Sequence, residues 1–217
     1  LKSVTLPPIK VVLTGVGRVG SGAAELLDAA GVLKVCPDHF MGRHFTGPVY
    51  TQIDVLEYNK RSDGLVGDKK DFFDNPEAYV SNFLPYTEEA DVFIAGHFYG
   101  QGAPAFFKLK DIQGPHFKVS VIADVSCDIG HPIPTTLRAS TIADPIYGTT
   151  DDKILAGFVD GSYTGDLELR SIFIQPITNV FMLLMSPRVF FLTNPAGIHN
   201  GLFWCCLGLL QIMLFEW

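Results

Sequence analysis

The stretch VVLTGVGRVGSGAAELLDAAG, residues 11–31, decides how the rest of the chain is read. An apolar run, Val11-Val12-Leu13, meets three glycines spaced Gly15-x-Gly17-x-x-Gly20, and a proline-free segment rich in alanine and leucine follows. A short β-branched run bounded by Pro7-Pro8 and by glycine is too brief for a helix, so residues 10–14 are expected as a buried strand. Ala23, Leu26, Leu27 and Ala30 recur at spacings of three and four, which predicts a helix over 21–30 with Gly31 in the C-terminal cap.

A glycine triplet of this spacing is a weak signal by itself, because glycines also serve turns that bind nothing. Its place between a strand and a helix gives each glycine a separate task. Gly15 would allow a tight bend, Gly17 would let backbone approach a pyrophosphate, and Gly20 would let helix and sheet pack closely. Val16, Arg18 and Val19 complete the turn, whose unpaired N–H groups and positive dipole end suit phosphate. Arg18 reads either as a phosphate contact or as a solvated charge. The competing reading of the whole turn is a structural bend.

Residues 32–35 are expected to return as a second, parallel strand, with the acid for the ribose hydroxyls at its end, about 20 residues on. That end reads KVCPDHF, and Asp38 is the nearest carboxylate, slightly late and equally suited to capping the next turn. No obvious basic cluster stands there, which favours NAD while leaving NADP open.

From Cys36 to Ala90 the pattern suggests an enlarged crossover, in which PVYTQID suits a strand and NPEAYVSNFL a short helix starting at Asn75. DVFIAG, 91–96, and KVSVIADVS, 118–126, are apolar β-branched runs that suit central strands covered on both faces. The fold class that follows is α/β, a Rossmann-type doubly wound parallel sheet with an unassigned apolar C-terminal tail. Residues 1–153 form its NAD-binding domain, and 154–217 form a divergent segment in which charges thin out.

Composition bounds the function. The chain has 217 residues, 47% of them hydrophobic, and a net charge of −7, enough for one sizeable core. With no basic stripe, nucleic acid is disfavoured as a partner. The four cysteines, Cys36, Cys127, Cys205 and Cys206, include no C-x-x-C and no histidine at zinc spacing, so no metal site is expected and a reduced cytoplasmic setting fits. GLFWCCLGLLQIMLF, 201–215, is 15 residues long and lacks positive flanks. A membrane helix needs roughly 20 apolar residues, so a buried segment is favoured over an anchor.

A second constellation lies in ADVSCDIGHPIPTTLRASTIADPIYG, 123–148. Residues just beyond strand ends face the ligand crevice of a parallel sheet, and Asp124 and Asp128 bracket such an exit. Both also suit turns in which Asp bonds nearby backbone. His97, beside Phe98 and Tyr99, and His131 in GHPIP also read as ordinary structural histidines.

GVGRVGSGAAELL, ADVFIAGHFYGQGAP and ADVSCDIGHPIPTTLRASTIADPIYG, in that order, resemble the nucleotide-binding domain of the alanine dehydrogenase and transhydrogenase superfamily. Within it the chain looks most like lysine-forming saccharopine dehydrogenases and bacterial alanine-dehydrogenase-like relatives. The likeness covers residues 10–147, and its D-V-S-x-D and T-x-x-D-P-x-Y segments are the specific part. It implies that Gly15, Gly17 and Gly20 hold the pyrophosphate and that Ala95, Gly96 and His97 line the nucleoside or nicotinamide side. It places Asp128 beside nicotinamide and substrate as the catalytic carboxylate, Asp124 in support of the loop, and Arg138, Thr141 and Asp144 along the closing wall.

The implied activity is NAD-dependent hydride transfer at an amino acid C–N bond. The lysine and histidine for its acid–base steps would belong to a partner domain preceding Leu1, so the chain alone is expected to be inactive. Two rival readings remain: a non-catalytic NAD-binding regulatory module, and a transhydrogenase-like membrane subunit. The expected partner is a small amino-acid substrate, and an oligomer is compatible with the sequence.

Overall fold

A computed structural model of the chain describes residues 6–98, 100–125, 128–138, 147–149 and, for the backbone, 172–174. The first strand, β1, runs Lys10–Thr14 and is buried along its whole length, as its apolar run predicts. Helix α1 follows at Arg18–Ala29. It starts three residues before the periodicity suggests, so Gly20 lies inside it although glycine is a poor helix former. Packing outweighs propensity there: a Cβ on Gly20 would stand 1.8 Å from the Gly15 carbonyl oxygen. At the other end Gly31 has φ +80°, its N–H donates to Asp28 O, and Val32 N–H donates to Leu27 O, the glycine-dependent stop the sequence announces.

Strand β2 is short, Leu33–Lys34, and exposed. After α2 (Pro37–Phe40) the chain re-enters the sheet as β3, Val49–Ile53. β3 pairs in parallel with both β1 and β2, so it separates them and pushes β2 to the edge. The remaining crossover holds α3 (Val55–Tyr58), β4 (Asn59–Arg61), α4 (Lys69–Asp74), a 3₁₀ turn at Pro76–Ala78, β5 (Tyr79–Ser81) and α5 (Leu84–Glu89).

The helix expected from Asn75 is therefore corrected. Proline does open a helical turn, but Tyr79-Val80-Ser81 pairs antiparallel with Asn59–Arg61. Tyr79 is buried against Phe72, and its hydroxyl donates to Asp71 at 2.8 Å. These tertiary contacts decide between two local structures that the short apolar run allows equally.

β6 (Val92–Ala95) and β7 (Val121–Asp124) join the other side of β1, both parallel, with α6 (Leu109–Ile112) between them. β8 (Tyr147–Thr149) and β9 (Ile172–Ile174) complete the sheet among the described residues, in the order β2-β3-β1-β6-β7-β9-β8, with only β8 antiparallel. β9 lies within the stretch read as a divergent segment; the apolar run 201–215 lies outside the described residues.

The sheet has a core on each face. Val11, Leu13, Val92 and Ile94 meet Ala23, Leu26 and Leu27 of α1 on one side. Val12, Ile53, Phe93 and Ile122 meet Tyr58, Phe83, Phe106 and Ile112 on the other. Each fully buried Leu, Ile or Phe contributes about 1.5–3 kcal/mol. Helices cover both faces of a parallel sheet, which makes the fold α/β and Rossmann-type. Among the described residues no helix is long and apolar enough to cross a membrane.

Candidate functional site

The C-terminal ends of β1, β3, β6 and β7 bring Gly15, Asp54, Gly96 and the residues after Asp124 to one edge. The chain leaves β1 toward β3 and later returns on the other side as β6, so the strand order switches at β1, the place where open parallel sheets put a ligand crevice.

The glycines divide into two kinds. Gly15 has φ +91°, and a Cβ on it would lie 2.5 Å from Gly96 O and 2.9 Å from His97 Cα. Gly20 abuts the Gly15 carbonyl, and a Cβ on Gly96 would come within 3.0 Å of Thr14 O. These three form a close-packed knot that admits no side chain. Gly17 differs: its φ of −78° and ψ of −169° suit any residue, and among the described residues nothing lies within 4 Å of a Cβ placed on it.

The mouth of α1 is short of acceptors. Gly17 caps the helix without a side-chain hydrogen bond, and the first turn holds no acid. Among the described residues the N–H groups of Val16, Gly17 and Arg18 have no acceptor. Val16, Gly17 and Arg18 are exposed and Val19 is half-buried, so the turn fronts an open edge.

His97 closes the crevice floor. Its Nδ1 lies 2.9 Å from Thr14 Oγ1, and its ring packs on Phe106 at 4.6 Å and Tyr58 at 5.9 Å. Thr14 Oγ1 is also 3.4 Å from Ile94 O, so a proton on Nδ1 lets both donors find acceptors and leaves Nε2 as a bare lone pair. That buried Nε2 has no partner among the described residues. Burial depresses the imidazole to a pKa of about 3, so it is neutral at ordinary pH.

The two acid candidates for the ribose stand apart. Sequence spacing leads to Asp38, in the first turn of α2 beyond the edge strand. Sheet order leads to Asp54, directly after the strand that neighbours β1, 34 residues beyond Gly20. The inserted β2 and α2 account for the added distance, and the legible signal was an acid ending an apolar run. Asp54 Oδ1 accepts Val55 N–H at 2.7 Å and its other oxygen pairs with Lys69. Burial raises the Tyr58 pKa, and the Asp54 charge raises it further.

Asp124 ends β7 with no exposure, and its Oδ2 accepts the Thr136 hydroxyl at 2.5 Å. Gly130 N–H donates to Thr136 O, so Asp124 and Thr136 together fasten the loop that follows. Asp128 sits on that loop and is exposed. Arg138 stacks its guanidinium 4.4 Å over the Tyr147 ring; Thr141 and Asp144 lie outside the described residues. Ala95 is buried at the end of β6, adjoining Gly96 and His97. Among the described residues no group of three His, Cys, Asp or Glu side chains could hold a metal ion.

No protein-family model matches the chain, and no curated protein matches it. Among solved structures an L-alanine dehydrogenase is similar to it, with a TM-score of 0.40 and 16% identity; the match covers 98% of this chain and 43% of that one. The chain thus spans less than half the length of that protein. The fold class stands on the strand register described above.

Proposed function

We propose that the chain is the NAD(H)-binding domain of an oxidoreductase that transfers hydride at an amino acid C–N bond. The observation that carries the dinucleotide part is Gly17. Neither its backbone angles nor its neighbours call for glycine. A side chain there would instead obstruct a ligand drawn to the acceptor-poor helix mouth, as pyrophosphate is.

The residues fit the rest of a dinucleotide. Asp54 accepts from Val55 N–H and Lys69 within a capping box and has acceptor capacity left for ribose hydroxyls, and its position beside β1 makes it the stronger choice over Asp38. A carboxylate at this place also favours NAD over a phosphorylated ribose by charge. Ala95, Gly96 and His97 would flank the other half of the ligand. The bound nicotinamide would accept or return the hydride.

The amino-acid part rests on the resemblance of the segment around Asp128. Its exposed carboxylate, on a loop fastened through Asp124 and Thr136, would take a hydrogen bond from a substrate ammonium. Acid–base groups would come from outside this chain.

Calorimetry of NAD with the wild type and Gly17→Val tests the site. The wild type should bind, and the variant should lose at least about 100-fold in affinity while melting within about 2 °C of it, since no described atom lies within 4 Å of the added Cβ. Unchanged affinity would remove the turn from consideration.

A further inference from the structure

Gly15 is held on three sides. Its N–H donates to Ile53 O at 2.9 Å, its Cα packs against Gly96 and His97, and its carbonyl accepts Gln52 Nε2–H at 2.9 Å. Gln52 in turn accepts Lys34 Nζ at Oε1, 2.8 Å away. An ammonium can only donate, so the amide oxygen must face Lys34 and the amide nitrogen must face Gly15. The direction of the chain Lys34 to Gln52 to Gly15 is thus set by chemistry.

That direction matters for the next peptide group. In a trans peptide C=O and N–H point opposite ways. Fixing Gly15 O toward Gln52 on β3 therefore turns Val16 N–H away from β3, and that N–H has no acceptor among the described residues. A donor on a peptide carbonyl also polarises the N–H of the same peptide, and consecutive hydrogen bonds strengthen one another by roughly 10–30% each. Gln52 can reach this position because Gly20 leaves room; a Cβ there would stand 3.3 Å from Gln52 Nε2.

We propose that Gln52 is a positioning residue for the phosphate turn: it fixes the plane of the Gly15–Val16 peptide and, backed by Lys34, readies Val16 N–H to donate to an anionic oxygen of the ligand. Gln52 itself does not touch the ligand. The inference rests on the dinucleotide reading for its ligand, and on the Lys34–Gln52–Gly15 geometry for its mechanism.

The test uses Gln52→Met, which keeps length and removes the donor, with Gln52→Asn, one methylene too short, as a second variant should the first fail to fold. ADP carries the pyrophosphate and adenosine does not. Gln52→Met should weaken ADP about five- to tenfold and leave adenosine within twofold. Lys34→Met should weaken ADP about twofold, and Lys34→Arg should restore it. In the ligand-free protein, the Val16 amide nitrogen resonance should move upfield in Gln52→Met while Val11 and Val12 stay in place. Parallel loss of ADP and adenosine, or unaltered ADP affinity, overturns the proposal. Should the wild type bind neither NAD nor ADP, the dinucleotide reading fails by itself. The Val16 resonance then decides the inference: a shift upholds the mechanism, and an unmoved signal ends it.

Discussion

The two ends of β1 are built on opposite rules. At its start, Lys10 is buried yet fully engaged: Nζ donates to Glu89, Phe40 O and Arg43 O and lies 4.6 Å over the Phe40 ring. Its own N–H donates to Asp91, which also pairs with Lys118. Burial raises the Glu89 carboxyl, but the Lys10 hydrogen bond, the Gly42 N–H and the lysine charges outweigh it and leave the pKa lowered. At the other end, among the described residues, the N–H groups of Val16, Gly17 and Arg18 lack acceptors, His97 Nε2 has no partner, and nothing lies within 4 Å of a Cβ on Gly17. Buried or clustered polar groups left unsatisfied cost stability, commonly about 1–3 kcal/mol each. The contrast between the paired surroundings of Lys10 and the acceptor-poor turn supports the proposal that a ligand would meet the second pole.

The comparison is broken most severely at Gly20. Gly20→Ala puts a methyl into the Gly15 carbonyl, and we expect a loss of at least about 4 kcal/mol in a urea unfolding series or failure to accumulate as folded protein. Gly17→Ala should unfold within about 0.5 kcal/mol of the wild type, as an open position predicts. Similar losses at both would show that the two kinds of glycine are one. Next, Lys10→Met should cost about 2 kcal/mol, because Glu89 and two carbonyls lose their donor although Glu89 partly rehydrates. NAD affinity should be unaltered, and a weakened affinity would mean that the poles are coupled.

The smallest effect is a pH slope. His97 has a folded pKa of about 3 against a reference of 6.5, so between those values the unfolded chain binds the extra proton and stability rises with pH. The contribution is full above pH 6.5 and is lost progressively as pH falls toward 3. Wild-type protein should be about 1 kcal/mol less stable at pH 5.5 than at pH 7.5, and His97→Gln should flatten that interval. Glu89 shifts down from 4.5, so the paired pole weakens only in more acid solution. A slope between pH 6.5 and 5 that survives in His97→Gln would assign it elsewhere.

Much of the site was readable in one dimension because its parts are contiguous. Strand, turn and helix around Gly15, Gly17 and Gly20 follow each other directly, and each local requirement leaves its own residue type. Gly15 stands at a positive-φ bend, no described atom lies within 4 Å of a Cβ on Gly17, and Gly20 abuts the Gly15 carbonyl. Asp54 and Gln52 were hidden for the opposite reason. Their place at this edge comes from β3 lying beside β1, and a crossover that contains an extra edge strand obscures which run will neighbour it. Tyr79–Ser81 was misread as helix because three residues carry too little period to outvote a partner strand.

The sequence by itself determined the alternation of strands and helices near the start, the glycine bend and the absence of glycine-independent alternatives at Gly15 and Gly31, since φ above zero is a local property of the backbone. Only the tertiary structure decided which carboxylate ends the strand beside β1, which amide bonds the turn, and which polar atoms have no partner among the described residues. Those are properties of neighbours, and neighbours across a sheet are chosen by the burial of whole faces rather than by any single segment.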